Sequence, residues 1–287
     1  MKSTNMTETI LIKKRSGEME PFLFSKLKGS LKRSGADHAD VERVMEAIKS
    51  QLYDGITTKE IYRKAFALLK KKNRVYASKY SLKKALFDLG PTGYPFERLI
   101  ASLLIKRGYK AEVSVILQGK CVTHEIDVLA EKDGATYAIE CKFHAKSHFV
   151  NNVKNPLYIN SRFIDIQTKW NNNPKNTTQL KQGWLVSNTK FTLDAIKYAD
   201  CVGLRLLSWN YPENNGLNAH IDSYSLYPVT TLTTLTIREK QQIMENDVIL
   251  INDLVDAPYI LDKLQFSEVR KARILKEAQC LLDFDKK

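Results

Sequence analysis

The stretch HEIDVLAEKDGATYAIECKFH, residues 124–144, carries two acids and a lysine spaced so that one face of a hairpin could hydrolyse a phosphodiester. Asp133-Gly134 favours a two-residue type I′ turn, because both residues tolerate positive φ. With that turn Lys132 pairs with Ala135, and Ile126, Val128 and Ala130 oppose Cys141, Ile139 and Tyr137 on an apolar face. The other face sets Glu125, Asp127, Leu129 and Glu131 against Lys142, Glu140, Ala138 and Thr136, so Asp127 is expected directly across from Glu140. Like charges so placed destabilise a sheet. A divalent cation between them reverses the sign, and hard oxygen ligands suit Mg²⁺ or Mn²⁺. Lys142 stands two residues beyond Glu140 and shares its face. Such a metal neutralises charge on a phosphate and acidifies a bound water, which the lysine holds. The alternative is a surface pair of Glu125 with Lys142, worth under about 1 kcal/mol, with both acids facing solvent.

Such a hairpin needs elements to position it. FERLIASLLIKRGY places Phe96, Leu99, Ile100, Leu103 and Leu104 on one helical stripe with Glu97 at its flank. A strand near residues 112–117 and the hairpin follow. After a polar region come a buried-type strand, GWLVS (183–187), a helix from about 192 to 199 and a strand at 203–209. Helix, three strands, then further strand and helix imply a mixed sheet flanked by helices.

Upstream, residues 10–22 form a small hairpin turning at Ser16-Gly17, followed by helical patterns over 25–33, 39–52, 58–72 and 75–89. Thr57 and Glu60 have capping-box spacing, as do Thr236 and Glu239. LGPTGYP breaks the pattern near residue 92. The expected domains are 1–93, 94–212 and 213–287, the last mainly helical with a helix over 267–282. The class is α+β or α/β.

Composition narrows the partners. The net charge is +13, with +10 in residues 1–93, +6 in 94–212 and −3 in 213–287. A polyanion suits the first two segments. No apolar run reaches the roughly 18 residues of a membrane helix, and the first 17 residues lack a signal-type apolar core, so a cytoplasmic location is expected. Four scattered cysteines with no C-x-x-C point to neither a zinc ribbon nor disulfides. His144 and His148 stand four apart without a nearby third ligand, and the three tryptophans read as core and strand-end packing.

FERLIASLLIKRGY, the hairpin and GWLVSNTKFTLDAIKYADCVGLRLLSW together resemble the PD-(D/E)xK nucleases, most closely the Mrr-like restriction endonucleases, over residues 96–209. The resemblance implies a metal-dependent endodeoxyribonuclease serving restriction or phage defence. Asp127 and Glu140 would bind the metal, with the Cys141 carbonyl as a further ligand and Lys142 catalytic. Glu97 matches the helix glutamate of many members and would orient Lys142 or complete a second metal shell. Many Mrr-type enzymes have glutamine where Glu140 stands. Cutting both strands implies a dimer or higher oligomer.

Residues 10–93, through KKRSGEMEPFLFSKLKGSLKRSGAD, YDGITTKEIY and YASKYSLKKALF, resemble an ATP-cone. That implies ATP or dATP as a regulatory ligand. Lys14 and Arg15 would meet the phosphates and Lys26 add a cation, while Glu20, Leu27, Thr58 and Tyr62 line the pocket. Leu23 stands where that family often has Asp or Asn. No P-loop is present, so the nucleotide is a signal rather than fuel. Two competing readings are a nucleotide-responsive DNA-binding regulator with a silent nuclease site, and a structure-selective nuclease of the junction or repair type.

Overall fold

A computed structural model describes residues 10–14 and 17–284. The chain divides between residues 82 and 83 into two compact units.

The first unit opens with an antiparallel hairpin, β1 (Leu11–Lys13) and β2 (Met19–Pro21). Four helices follow: α1 (Phe24–Arg33), α2 (His38–Lys49), α3 (Thr58–Lys72) and α4 (Arg74–Tyr80). Helix α3 starts where the capping box predicts. The Thr57 hydroxyl accepts from the Glu60 N–H at 3.1 Å, and the Glu60 carboxylate accepts from the Thr57 N–H at 3.4 Å. Ile61, Ala65 and Leu69, spaced by four, form its buried edge and meet Leu27, Leu31, Val41, Val44 and Ile48 in one core. The helical pattern over 75–89 is divided into α4 and α5 (Leu82–Phe87). The Ser81 hydroxyl donates to the Ser78 carbonyl at 2.9 Å, and the Ser81 N–H also reaches back three residues, tightening the turn and ending α4.

In the second unit α6 (Tyr94–Lys106) has Pro95 as its second residue, where a missing N–H costs nothing because the first turn has no acceptor for it. All five residues of the predicted apolar stripe are buried. Next come β3 (Lys110–Gln118), β4 (Thr123–Lys132), β5 (Ala135–Lys142), the short β6 (Val150–Asn151) and a long helix, α7 (Lys154–Asn171). Then follow β7 (Gln179–Ser187), β8 (Lys190–Phe191), α8 (Leu193–Val202) and β9 (Arg205–Leu207). The five-stranded sheet has the order β3-β4-β5-β7-β9, its first three strands antiparallel and its last three parallel, as a mixed sheet requires. Helix α7 falls in the region read as polar. Its Ile159 and Ile166 are buried, and Phe163 and Trp170 complete a stripe that packs on the sheet.

The remainder is helical as expected: α9 (Leu217–Ser223), α10 (Ile237–Met244), α11 (Ile251–Asp256), α12 (Tyr259–Lys263) and α13 (Glu268–Leu282). Its capping box at Thr236 and Glu239 is formed. Buried Glu277 on α13 accepts from the N–H groups of Thr233 and Thr234 at 2.7 and 2.9 Å, which fixes that loop. No described helix is long and apolar enough to cross a membrane.

Candidate active site

The site begins at the β4–β5 turn. Asp133 and Gly134 have φ of 51° and 73°, the signs a type I′ turn demands. The register runs as the turn dictates, from Lys132 opposite Ala135 to Val128 opposite Ile139, and stops there. The expected cross-strand pair of Asp127 with Glu140, and that of Glu125 with Lys142, are therefore not ladder pairs. Instead Asp127 Oδ2 accepts from the Cys141 N–H at 2.6 Å. The remaining residues of β5 ladder with β7: Glu140 with Leu185, Cys141 with Val186 and Lys142 with Ser187. The ladder thus ends where the Asp127 side chain takes the Cys141 N–H, and the Asp127 and Glu140 carboxylates stay close enough to repel each other.

Electrostatics mark the same place. Burial first, then the charges of Asp127, Glu125 and Glu140, push the Glu97 carboxyl up to about 7. Burial and then Asp127 push Glu140 up to about 7, outweighing Arg162 and Lys142. Asp127 is raised as well, chiefly by burial. Glu97 comes from the first turn of α6, where a Cβ on Gly93 would lie 3.1 Å from its Oε1. Asp127, Glu140 and Glu97 thus act on one another, and Lys142 is exposed beside them.

Hard carboxylate oxygens in mutually unfavourable ionisation are what a divalent cation stabilises, so the donor set fits one. Among the described residues, no three His, Cys, Asp or Glu groups are already gathered around one metal position. Glu140 is held by Arg162, and Asp127 by the Cys141 N–H. Asp127, Glu140 and the Cys141 carbonyl are the groups that would hold the ion.

Helix α7 supplies what the sequence reading missed. Arg162 Nη1 meets Glu140 Oε1 at 2.6 Å, with both side chains at most 20% exposed, and Nη2 donates to the Glu125 carbonyl at 2.5 Å. Arg162 Nε reaches His124 Nδ1 at 3.5 Å, and His124 Nε2 meets Asp165 Oδ2 at 2.7 Å. An accepting Nδ1 places the imidazole proton on Nε2. Asp165 also accepts from the N–H groups of Cys121 and Val122. The His124 bond and these N–H donors hold the Asp165 carboxyl well below the usual range. One turn of α7 thus ties the β3–β4 turn to Glu140. The residues that fix Lys142 lie at the end of β7. Ser187 Oγ donates to the Lys142 carbonyl at 2.7 Å, and the Asn188 side chain brackets His144, accepting from its N–H at 2.9 Å and donating to its carbonyl at 2.8 Å. Buried Asn151 donates to Ser187 and Thr189, each at 2.9 Å, and so locks this end of the sheet. His144 and His148 both stack on Phe149.

Two predictions arise here. Replacing Arg162 by alanine leaves Glu140 without its counter-charge. It is expected to lower the stability of the metal-free protein on the order of 2 kcal/mol, below the roughly 3–5 kcal/mol of a fully buried pair. Added Mg²⁺ should recover more of the melting temperature in this variant than in the wild type, because Glu140 then keeps only the exposed Lys142 as a nearby cation; equal recovery would count against the site. The second concerns pH. Glu97 and Glu140 keep protons in the fold that the unfolded chain, with ordinary values near 4.5, has lost. Stability of the metal-free protein should fall as pH rises from about 4.5 to 7 and level off above. Denaturant melts with and without Mg²⁺ check this, and the metal should flatten the slope.

In the first unit, Lys14 Nζ pairs with Glu20 Oε2 at 2.5 Å. Lys13 bridges to Thr57, and its N–H donates to the Ile56 carbonyl at 3.0 Å, which brings Lys14 and Glu20 to the same edge as Thr58, the first residue of α3. Tyr62, one turn on, stacks on Phe66 and Tyr80 with centroids 6.0 and 5.4 Å apart. Lys26 is exposed on α1, Leu27 lies in the core, and Arg15 is outside the described residues.

Comparison with known proteins agrees with this architecture. The ATP cone domain family model matches residues 10–86, the restriction endonuclease model 91–157, and the AF1548-like, C-terminal model 227–282. The chain therefore carries an ATP-cone followed by an Mrr-type nuclease domain, which marks a nuclease joined to a nucleotide-binding module; such a fold implies DNA and a divalent metal. An uncharacterized protein of Archaeoglobus fulgidus is 41% identical over 133 residues, spanning 46% of this chain and 71% of the relative. A crystal structure titled as the protein of unknown function AF1548 covers 67% of this chain and 100% of its own, with 32% identity and a TM-score of 0.55. The chain belongs to the AF1548-like family.

Proposed function

We propose that this protein is a Mg²⁺- or Mn²⁺-dependent DNA endonuclease of restriction or phage-defence type, regulated by ATP or dATP, with residues 1–93 sensing nucleotide, 94–212 cutting and 213–287 appended to the nuclease. The observation that carries the reading is the end of the β4–β5 hairpin, where the Asp127 and Glu140 carboxylates act on Glu97 and feel the charge of Lys142. A divalent cation there supplies charge neutralisation at the scissile phosphate and a more acidic water. Lys142, fixed through its carbonyl by Ser187, holds the attacking water and stabilises the charge that builds on the phosphate oxygens. Asp127 is oriented by the Cys141 N–H. Glu97, with its raised affinity for a proton, orients Lys142 or completes a second metal shell. Arg162 keeps Glu140 in place before the metal arrives.

Lys14, Arg15 and Lys26 are the cations offered to the triphosphate, with Glu20, Leu27, Thr58 and Tyr62 around the nucleoside, and cutting both strands calls for at least a dimer. The test of the coupling is cleavage of DNA in Mg²⁺ with and without ATP or dATP, in the wild type and in Lys14→Ala. A nucleotide effect of at least about threefold, lost in the variant, is expected; an effect that persists in the variant places regulation elsewhere.

A further inference from the structure

Residues of a strand alternate between faces. Tyr137 and Ile139 therefore point away from the Glu140 and Lys142 side of the sheet, and Trp184, registered opposite Ile139, joins them. Around Trp184 the structure gathers cations. The Arg205 guanidinium lies 4.4 Å from its ring centroid and that of Arg107, from the end of α6, lies 5.8 Å away. Tyr109 and Tyr137 meet the same indole edge-on at 6.2 and 5.9 Å. Lys132 stands 5.1 Å over Tyr109 and donates to the Arg107 carbonyl at 2.8 Å.

Among the described residues no carboxylate forms an ion pair with Arg107 or Arg205. Beyond burial, the groups that act on Arg205 are Arg107, Tyr109 and Tyr137, and those that act on His220 of α9 are Arg107 and Arg205. Burial and then Arg107 lower the hold of Arg205 on its proton, against the two tyrosines, and burial, Arg107 and Arg205 lower that of the His220 imidazole. Three side-chain nitrogens here are buried without a hydrogen-bond partner: Arg107 Nη1, Trp184 Nε1 and His220 Nε2, on residues of which Trp184 is 1% and His220 9% exposed. Orphaned buried polar groups are costly, about 1–3 kcal/mol each, and cation–π contact offers a guanidinium no hydrogen-bond acceptor. Arg107 and Arg205 remain half-buried, so the cluster is open to a ligand.

We infer that Arg107, Arg205, Trp184 and His220 form an anion site for a phosphate group, on the face of the nuclease sheet opposite the catalytic carboxylates. Two guanidiniums suit the bidentate geometry of phosphate, the indole N–H adds a donor that a metal cation could not use, and the His220 imidazole adds another in the tautomer that carries its proton on Nε2. The phosphate belongs either to DNA or to a free anion. The site stands independently of the nuclease reading, since none of its residues touches the carboxylate cluster.

The test titrates the full-length chain, without divalent metal, with inorganic phosphate and with one short oligonucleotide in 5′-phosphate and 5′-hydroxyl forms, followed by calorimetry. Saturable binding is expected, at least tenfold weaker in Arg205→Gln and unchanged in Lys169→Ala, an exposed lysine of α7. Arg205-dependent binding of inorganic phosphate alone identifies a free anion; preference for the 5′-phosphate form identifies a strand end, and equal binding of both forms the DNA backbone. Arg107→Gln, at a helix terminus, is the second variant should Arg205→Gln melt early. Absence of binding by all three probes, or affinity that survives in the folded variant, overturns the site.

Discussion

Lys142→Ala is expected to slow Mg²⁺-dependent DNA cleavage by about 10²–10³-fold, the loss typical of removing one group that stabilises developing charge. The same substitution should change stability by no more than about 0.5 kcal/mol, because Lys142 is exposed and its position is fixed through its backbone by Ser187 rather than through its side chain. The separation of the two effects is the point. A residue of structural importance would move both, and a surface lysine of no importance would move neither. Single-turnover cleavage beside thermal melts reads them out, and a variant that cuts at the wild-type rate removes Lys142 from the chemistry.

The second large effect belongs to Asp127. In Asp127→Asn the side-chain oxygen can still accept from the Cys141 N–H, so the hairpin end should survive, but the charge that draws a cation is gone. Metal affinity is expected to fall at least about 100-fold, the upper end of what even outer-shell changes cause, with cleavage lost alongside. Glu140→Gln should be milder, because Mrr-like enzymes commonly hold glutamine there and an amide oxygen still coordinates. Removing that charge also lifts the opposition that raises Asp127's partners, so Glu97 should titrate lower in Asp127→Asn. Calorimetric titration with Mn²⁺ distinguishes the cases; unchanged affinity in Asp127→Asn would place the metal elsewhere.

Much of the hairpin was legible because its information is local. Asp133-Gly134 sets the turn, the turn sets the register, and the register decides which side chains share a face. The end of the ladder after Val128 and Ile139 was not legible, because it rests on the Asp127 carboxylate capturing the Cys141 N–H, a side-chain bond that the alternation of the strands does not encode. Helix α7 itself was hidden by its flanks. Asparagine-rich ends and Pro156 in its first turn read as loop, and only the spacing of Ile159, Phe163, Ile166 and Trp170 signals a buried stripe. Arg162 and Asp165 went unseen with it. Ser187, Asn188 and Asn151 look like ordinary polar residues at a strand end, and their work of clamping Lys142 and His144 exists only in three dimensions. In the first unit the capping box made α3 start where expected, whereas a single serine hydroxyl, invisible to apolar periodicity, ended α4.

Incubation of the purified full-length chain with supercoiled plasmid in Mg²⁺ or in EDTA, beside Asp127→Asn, tests the nuclease assignment most directly. Nicked and linear products from the wild type in Mg²⁺ alone, and none from the variant, are the result predicted by a metal held at the β4–β5 strand ends. Plasmid left intact by the wild type, or cut equally by Asp127→Asn, contradicts it.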